Sequence, residues 1–123
     1  MILGSVNAYS EAIIRLLVIG PQGQEQELEA VVDTGFNGSL SLPPSVIAKL
    51  DLPFRRRGRA VLADGSESLF DIYEAIVLWD GQPRRVAIDA VETDSLIGMT
   101  LLYGYELTVE AVVGGSVSIK AML

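Results

Sequence analysis

Residues 12–32 read AIIRLLVIGPQGQEQELEAVV and have the pattern of a β-hairpin. The first segment, Ala12–Ile19, is rich in β-branched and other apolar residues, which favour strands. It ends at Gly20-Pro21-Gln22-Gly23, where proline fixes φ and glycine permits positive φ, as tight turns require. A second strand is predicted over Gln26–Val32, so the two segments are expected to pair antiparallel.

Turn signals recur along the rest of the chain and predict a mostly β fold. They separate strand-like runs at Asp64-Gly65-Ser66, Asp80-Gly81-Gln82 and Gly114-Gly115-Ser116. Together with the first turn, they favour an antiparallel, all-β domain. Only two short helices are predicted, one over residues 43–50 and one that follows Gly98. A single domain over residues 1–123 is therefore expected.

The composition narrows the classes of function. The chain has 123 residues, 50% of them hydrophobic and 20% charged, which is enough apolar material for a core. Its net charge of −7 opposes binding to phosphate backbones, so no nucleic-acid partner is expected. No apolar run is long enough to cross a membrane and no targeting signal is recognised, so we expect no membrane partner and a cytoplasmic location. Cysteine and histidine are both absent, which excludes thiol nucleophiles, the Ser-His-Asp triad and nearly every zinc site.

One tripeptide is the strongest candidate for a catalytic site. Asp33-Thr34-Gly35 directly follows the second predicted strand. A carboxylate at the end of a buried strand must accept hydrogen bonds or share a proton, because burying an isolated charge is costly. Gly35 would let a backbone N–H or a partner group approach that carboxylate closely. A purely structural explanation is also open, since aspartate at a strand end commonly forms an Asx turn.

A second motif, far downstream, gives this tripeptide a family context. Leu96-Ile97-Gly98 puts two apolar residues and a glycine before a short amphipathic stretch, and a predicted hairpin lies between the two motifs. The combination resembles the retropepsin family of aspartic proteases, especially the single-lobed, retroviral-type proteases of bacteria, over nearly the whole chain. The resemblance implies a single-lobed fold of closed or orthogonal β-sheets that is active as a homodimer. It also implies peptide or protein substrates, and a mechanism that uses no metal and no cofactor.

The resemblance implies a role for each residue of the aspartate loop. Asp33 matches the catalytic aspartate, and Thr34 matches the threonine whose hydroxyl bonds to the partner subunit beneath the active site. Gly35 matches the glycine that frames the substrate. Ser39 matches the hydroxyl residue that supports the catalytic carboxylate.

Two further segments match the family by position. Leu96, Ile97 and Gly98 correspond to the motif that buttresses the aspartate loop, and Ala63-Asp64-Gly65-Ser66 falls at the flap that closes over substrate. Retroviral members usually carry an arginine after the glycine motif and an aspartate four residues past the catalytic one. This chain has Met99 and Asn37 at those positions, so its dimer contacts near the active site are expected to be built differently.

Two alternatives to a protease remain open. The same fold can serve as a catalytically inactive peptide-binding or dimerisation module, because fold does not guarantee activity. A plain structural β domain is the other alternative, and it requires both motifs to occur by accident.

Six of the nine basic residues flank the predicted flap and a later turn. They could attract acidic substrates or partners, or they could form a solvated sheet edge. They are Arg55, Arg56, Arg57, Arg59, Arg84 and Arg85.

Overall fold

A computed structural model describes the chain over residues 1–123. It is 54% strand and 8% helix, which confirms the all-β class. The strands are β1 (Ile2–Val6), β2 (Ala12–Ile19), β3 (Glu25–Val32), β4 (Leu40–Leu42), β5 (Phe54–Val61), β6 (Glu67–Trp79), β7 (Gln82–Ala90), β8 (Leu96–Ile97), β9 (Tyr105–Val109) and β10 (Ser116–Ala121). The helices are α1 (Pro44–Lys49) and α2 (Met99–Leu102), and neither is long enough to cross a membrane.

The strands form one sheet that partly closes on itself. Their order is β5-β6-β7-β4-β8-β3-β2-β1-β10-β9. An additional antiparallel ladder joins β2 to β6, from Leu17 opposite Leu78 to Ile19 opposite Ile76. This ladder closes β6, β7, β4, β8, β3 and β2 into a ring, and it leaves β5 and β9 as the two edge strands.

The core follows from the alternation of side chains along these strands. In β2, Ile14, Leu16 and Val18 are buried and Arg15 between them is exposed, as expected for a strand with one solvated face. These side chains belong to one cluster of 20 buried hydrophobic residues. Trp79, at the end of β6, packs edge-on against Tyr105 of β9 with ring centroids 5.7 Å apart. One continuous core therefore links the closed ring to the carboxyl-terminal strands.

β2, β3 and the two helices lie where their sequence patterns predict them. β2 has the predicted bounds, and β3 begins one residue earlier than predicted. Both helices fall within their predicted segments. The predicted turns after β2, β5, β6 and β9 each join neighbouring antiparallel strands.

Two short strands, β4 and β8, were not predicted from the sequence, and neither was a strand over the arginine run at residues 55–57. β4 and β8 have three and two residues, and each is stabilised by partners that are distant in sequence. β5 begins at Phe54 and so includes the arginine run. Cross-strand ion pairs to β6 join Arg57 to Asp71 at 3.4 Å and Arg59 to Glu67 at 3.5 Å, all four side chains being largely solvated. The arginines therefore line an edge strand, as the solvated-edge interpretation requires.

Truncation of Leu40 tests the junction of the ring. Leu40 is fully buried, pairs with Ile88 of β7 and Ile97 of β8, and is expected to lose about 2–5 kcal/mol of unfolding free energy on substitution by alanine. The measurement is urea denaturation monitored by the fluorescence of Trp79. Leu3→Ala is the matched control, since Leu3 is 69% exposed and should change the stability by no more than about 0.5 kcal/mol. Equal losses in the two variants would contradict this assignment of the core.

Candidate active site

Asp33 lies at the end of β3, where the strand pairs in parallel with β8. Val31 is opposite Leu96 and Val32 is opposite Ile97, and the ladder continues one step because the Asp33 N–H donates to the Ile97 carbonyl at 2.9 Å. The backbone of Asp33 is therefore fixed by the sheet. Its side chain is half-buried, at the boundary between the strand and the loop that follows.

The Asp33 carboxylate is held by its own loop. Oδ1 accepts a hydrogen bond of 2.9 Å from the Gly35 N–H, and the Asp33 carbonyl accepts one of 3.1 Å from the Phe36 N–H. This is the Asx-turn geometry that the structural alternative also predicts. A Cβ at Gly35 would lie 3.2 Å from Oδ1, so the glycine permits the close approach that the sequence suggested.

The segment that follows β8 is hydrogen-bonded to the loop after Asp33. The Gly98 N–H donates to the Ser39 carbonyl at 2.9 Å, and the Met99 N–H donates to the Phe36 carbonyl at 2.8 Å. Thr100 adds two bonds, from its N–H to the Gly38 carbonyl at 3.2 Å and from its hydroxyl to the Asn37 carbonyl at 2.5 Å. We call this set of hydrogen bonds between residues 33–39 and 97–100 the loop clasp.

Gly98 is the residue that makes the loop clasp possible. A Cβ at this position would lie 2.1 Å from the Gly38 carbonyl oxygen and 2.7 Å from the Phe36 carbonyl oxygen. Both atoms belong to backbone carbonyl groups that accept hydrogen bonds of the loop clasp, so moving them away would disrupt those bonds. Ile97 and Gly98 thus bond to the aspartate loop through their backbone, and Ile97 is fully buried. Leu96 instead pairs with Val31 of β3, and its N–H donates to the Ser41 hydroxyl.

Two hydroxyl residues of this region escaped the sequence analysis. The hydroxyl of Thr100 binds the loop at Asn37, where retroviral members have a charged pair. Ser41 is buried, and its hydroxyl accepts a 2.9 Å hydrogen bond from the Leu96 N–H. A serine between Leu40 and Leu42 was the signal for this second contact. Ser39, by contrast, contacts the clasp through its carbonyl, and its hydroxyl makes no hydrogen bond to Asp33.

Thr34 is exposed and lies in an apolar groove. We call this feature the Thr34 groove, and it is lined chiefly by Thr34, Met99, Tyr103, Leu107, Met122 and Leu123. Tyr103 is 83% exposed, and Met99, Met122 and Leu123 are exposed as well. Large apolar side chains that cluster on a surface commonly mark an interaction site. The groove adjoins Asp33 directly through the peptide bond to Thr34.

Residues Ala63–Ser66 form the tip of the hairpin between β5 and β6. Gly65 has φ +84°, its N–H donates to the Leu62 carbonyl at 2.9 Å, and the Leu62 N–H donates to the Ser66 carbonyl at 2.8 Å. A three-residue loop with glycine in the left-handed region fits this pattern. The Asp64 carboxylate accepts hydrogen bonds from the hydroxyl and the N–H of Ser66, and these bonds lower its pKa.

The hairpin projects from the body of the protein. Both of its strands are solvated near the tip, where Val61, Leu62 and Leu69 expose their apolar side chains. Phe70 and Ile72 fold over Gly58 lower in the hairpin, since a Cβ there would lie 2.7 Å from the Phe70 ring. The predicted flap is therefore an exposed ribbon with an ordered turn.

Asp89 of β7 is a second carboxylate near the loop, and the sequence analysis did not select it. A Cβ at Gly38 would lie 3.1 Å from its Oδ2, so the carboxylate faces the Asp33 loop. Burial raises the pKa of Asp89, and the charge of Arg56 opposes this shift without cancelling it. A charged residue in the apolar run Val86–Ala90 was the available signal. No three carboxylates converge anywhere on a point that could hold a metal ion.

Substitution of Gly98 tests the loop clasp. Gly98→Ala is expected to lower the unfolding free energy by roughly 1–3 kcal/mol or more, because the methyl group would overlap backbone oxygens. The measurement is chemical denaturation, with the exposed Glu92→Ala as the control from the same part of the chain. A Gly98→Ala protein as stable as the control would contradict the close packing described here.

Comparisons with protein-family models and with curated proteins find no match for the chain. The functional interpretation therefore depends on the Asp33 loop, the loop clasp, the Thr34 groove and the projecting hairpin.

Proposed function

We propose that this protein is a homodimeric aspartic endopeptidase in which each chain supplies one catalytic carboxylate, that of Asp33. The observation that carries the proposal is the loop clasp, which fixes the backbone of Asp33 beside an exposed apolar groove. Catalytic groups must be held within a fraction of an ångström, and sites anchored on sheet strands meet that requirement best. The resemblance of Asp33-Thr34-Gly35 and Leu96-Ile97-Gly98 to the retropepsin motifs is the second support.

The chemistry requires two copies of the chain. An aspartic protease uses two carboxylates about 3 Å apart that share one proton, because like charges at that distance do not both ionise readily. This chain has one Asp-Thr-Gly motif. A two-fold axis that passes beside Asp33 would bring the two carboxylates together, and such an axis makes each copy use the same surface.

Each step of the reaction then has a donor and an acceptor. The ionised carboxylate takes a proton from a water molecule, whose oxygen forms a bond to the peptide carbonyl carbon. The protonated carboxylate donates a hydrogen bond to the carbonyl oxygen and stabilises the negative charge that develops there. The dyad next protonates the peptide nitrogen, the C–N bond breaks, and the products are a carboxylic acid and an amine.

The Thr34 groove is the surface that we assign to the second copy. Its exposed residues, including Tyr103, Met122 and Leu123, are apolar, and burying them between two chains would release ordered water. It borders Asp33, so contact there is compatible with a dyad on the axis. Thr34 itself offers a hydroxyl on this surface.

The projecting hairpin is the element that we assign to the substrate. A peptide in extended conformation would lie between the hairpin tip and Asp33, with Val61, Leu62 and Leu69 supplying apolar contact. Closure of a loop over a bound peptide excludes bulk water from the reaction. The tip around Gly65 has space for such a closure, because a Cβ at Gly65 would contact nothing within 4 Å and the neighbouring strand residues are exposed.

Removal of the Asp33 carboxyl tests the catalytic assignment. Asp33→Asn is expected to reduce cleavage by roughly 10²- to 10⁴-fold, because the amide supplies neither the general base nor the shared proton. The measurement is cleavage of an unbiased peptide mixture between about pH 3 and pH 8, where a dyad gives a bell-shaped profile.

Asp51→Asn is the matched control, since Asp51 is exposed and distant in sequence from both motifs. Equal cleavage by the Asp33 and Asp51 variants would refute the assignment. If the wild-type protein is a folded dimer and cuts nothing, the inactive peptide-binding or dimerisation module becomes the better interpretation.

A charge placed in the Thr34 groove tests the dimer. Tyr103→Glu is expected to weaken self-association at least about tenfold, because two-fold symmetry would bury the new carboxylate twice without a partner. Sedimentation equilibrium measures the dissociation constant. Peptide cleavage should fall in parallel, since a monomer has only half of the dyad.

Tyr9→Glu provides a closely matched control for this experiment. Tyr9 is 85% exposed, compared with 83% for Tyr103, and it lines a different, polar groove with Glu11 and Glu29. The Tyr9 variant should dimerise like the wild type. Loss of association in both variants, or in neither, would rule out the Thr34 groove as the dimer surface.

A further inference from the structure

Asp89 belongs to a row of side chains that crosses three strands on one face of the sheet. Arg56 of β5 is opposite Ile72 of β6, and Ile72 is opposite Asp89 of β7. Residues directly opposite each other in neighbouring strands share a face. Ile88, the neighbour of Asp89 in β7, belongs to the hydrophobic core, so Asp89 and Ile72 lie on the other face.

This row runs from the Asp33 loop into the lower part of the hairpin. At one end, Asp89 faces Gly38 of the Asp33 loop, and its Oδ2 is 3.1 Å from the position that a Cβ would take at Gly38. In the middle, Ile72 lies against Gly58 in the lower part of the hairpin, and Arg56 of β5 is the other end. A peptide held between the hairpin and Asp33 would therefore pass close to Asp89.

Asp89 and Arg56 are the charged groups here that lack close partners. The other arginines of β5 form cross-strand ion pairs with Glu74, Asp71 and Glu67. Arg56 forms no such pair, and Asp89 accepts no hydrogen bond from the chain although it is half-buried. A partly buried carboxylate without a donor is costly, and a ligand that supplies a cationic donor would relieve the cost.

We propose that Asp89 is a specificity-determining residue that selects substrates with a lysine or arginine side chain at one position near the cleaved bond. The Phe36 ring and Asp89 Oδ2 both lie within 3.1 Å of the position that a Cβ would take at Gly38, so the carboxylate borders the Asp33 loop. Asp89 is only half-buried, and a long basic side chain could reach its exposed part. This inference rests on the proposed peptidase function. It assigns a preference opposite to the one that the arginine-rich edge strand would suggest.

Removal of Arg56 is expected to change the substrate preference in the direction opposite to removal of Asp89. Arg56 lies in the same row, two strands away from Asp89, and its positive charge opposes the rise in the pKa of Asp89. It therefore competes with a basic substrate side chain for the same carboxylate. Removing Asp89 should weaken the preference, and removing Arg56 should strengthen it.

The test begins with the wild-type protein and a proteome-derived peptide library. Enrichment of lysine or arginine at one position relative to the cut is expected. From one good substrate, two peptides are then made that differ only at this position, one with lysine and one with the uncharged norleucine. The lysine peptide should have a kcat/KM at least about tenfold higher, which corresponds to about 1.4 kcal/mol.

Four variants test which residue is responsible for the ratio of kcat/KM between the lysine and norleucine peptides. Asp89→Asn should bring it to within about twofold of unity, and Arg56→Gln should raise it several-fold. Asp51→Asn and Arg15→Gln make the same changes in net charge at exposed positions in other parts of the sequence, and they should leave it unchanged. Circular dichroism and sedimentation confirm that each variant is a folded dimer.

The outcomes separate this inference from the proposed function. Cleavage without any basic preference, or a lysine preference that survives in Asp89→Asn, would overturn the role of Asp89 and leave the peptidase intact. An equal effect of the two aspartate variants would show that only the overall charge matters, which also overturns it. No cleavage by a folded wild-type dimer would overturn both.

Discussion

The backbone hydrogen bonds of the loop clasp are the constraint on which the rest of the structure depends. The chain leaves β3 at Val32, and the peptide groups of the following loop need partners because they are no longer in a ladder. The segment after β8 supplies them, through the carbonyl of Ile97 and the N–H groups of Gly98 and Met99. A side chain at residue 98 would separate the two segments, so the glycine is as necessary to this geometry as the hydrogen bonds are.

The same contact determines how the sheet closes. β8 has only two residues, yet it pairs in parallel with β3 on one side and antiparallel with β4 on the other. Without it, the ring of six strands would be open between β3 and β4. The buried side chains of Leu40, Ile88 and Ile97 meet at this junction. The position of Asp33 and the integrity of the core are therefore fixed by one small set of contacts, which gives the carboxylate a rigid base.

The sequence predicted the parts of this fold that depend on local pattern. β2, β3, the two helices and the turns follow from alternation, proline and glycine, all of which act within a few residues. β4 and β8 have no such signal, because their stability comes from neighbours far along the chain. The motifs around Asp33 and Gly98 could be recognised in the sequence. Thr100 and Ser41 could not, because each acts through a single hydrogen bond that forms only in the folded chain. Asp89 was missed because the feature that singles it out, a half-buried carboxylate without a hydrogen-bond donor, is visible only in the folded chain.

The departures from the retroviral pattern acquire a physical meaning in this geometry. Where that pattern has an arginine and an aspartate, this chain has Met99 and Asn37, and the hydroxyl of Thr100 binds the Asn37 carbonyl instead. The loop is thus held by a neutral hydrogen bond within one chain, and Met99 is left free to line the Thr34 groove. In the proposed dimer, the loop would be fixed before association, and the surface that meets the partner would be apolar instead of charged. Positioning of the catalytic carboxylate and recognition of the second copy would then depend on separate groups of residues.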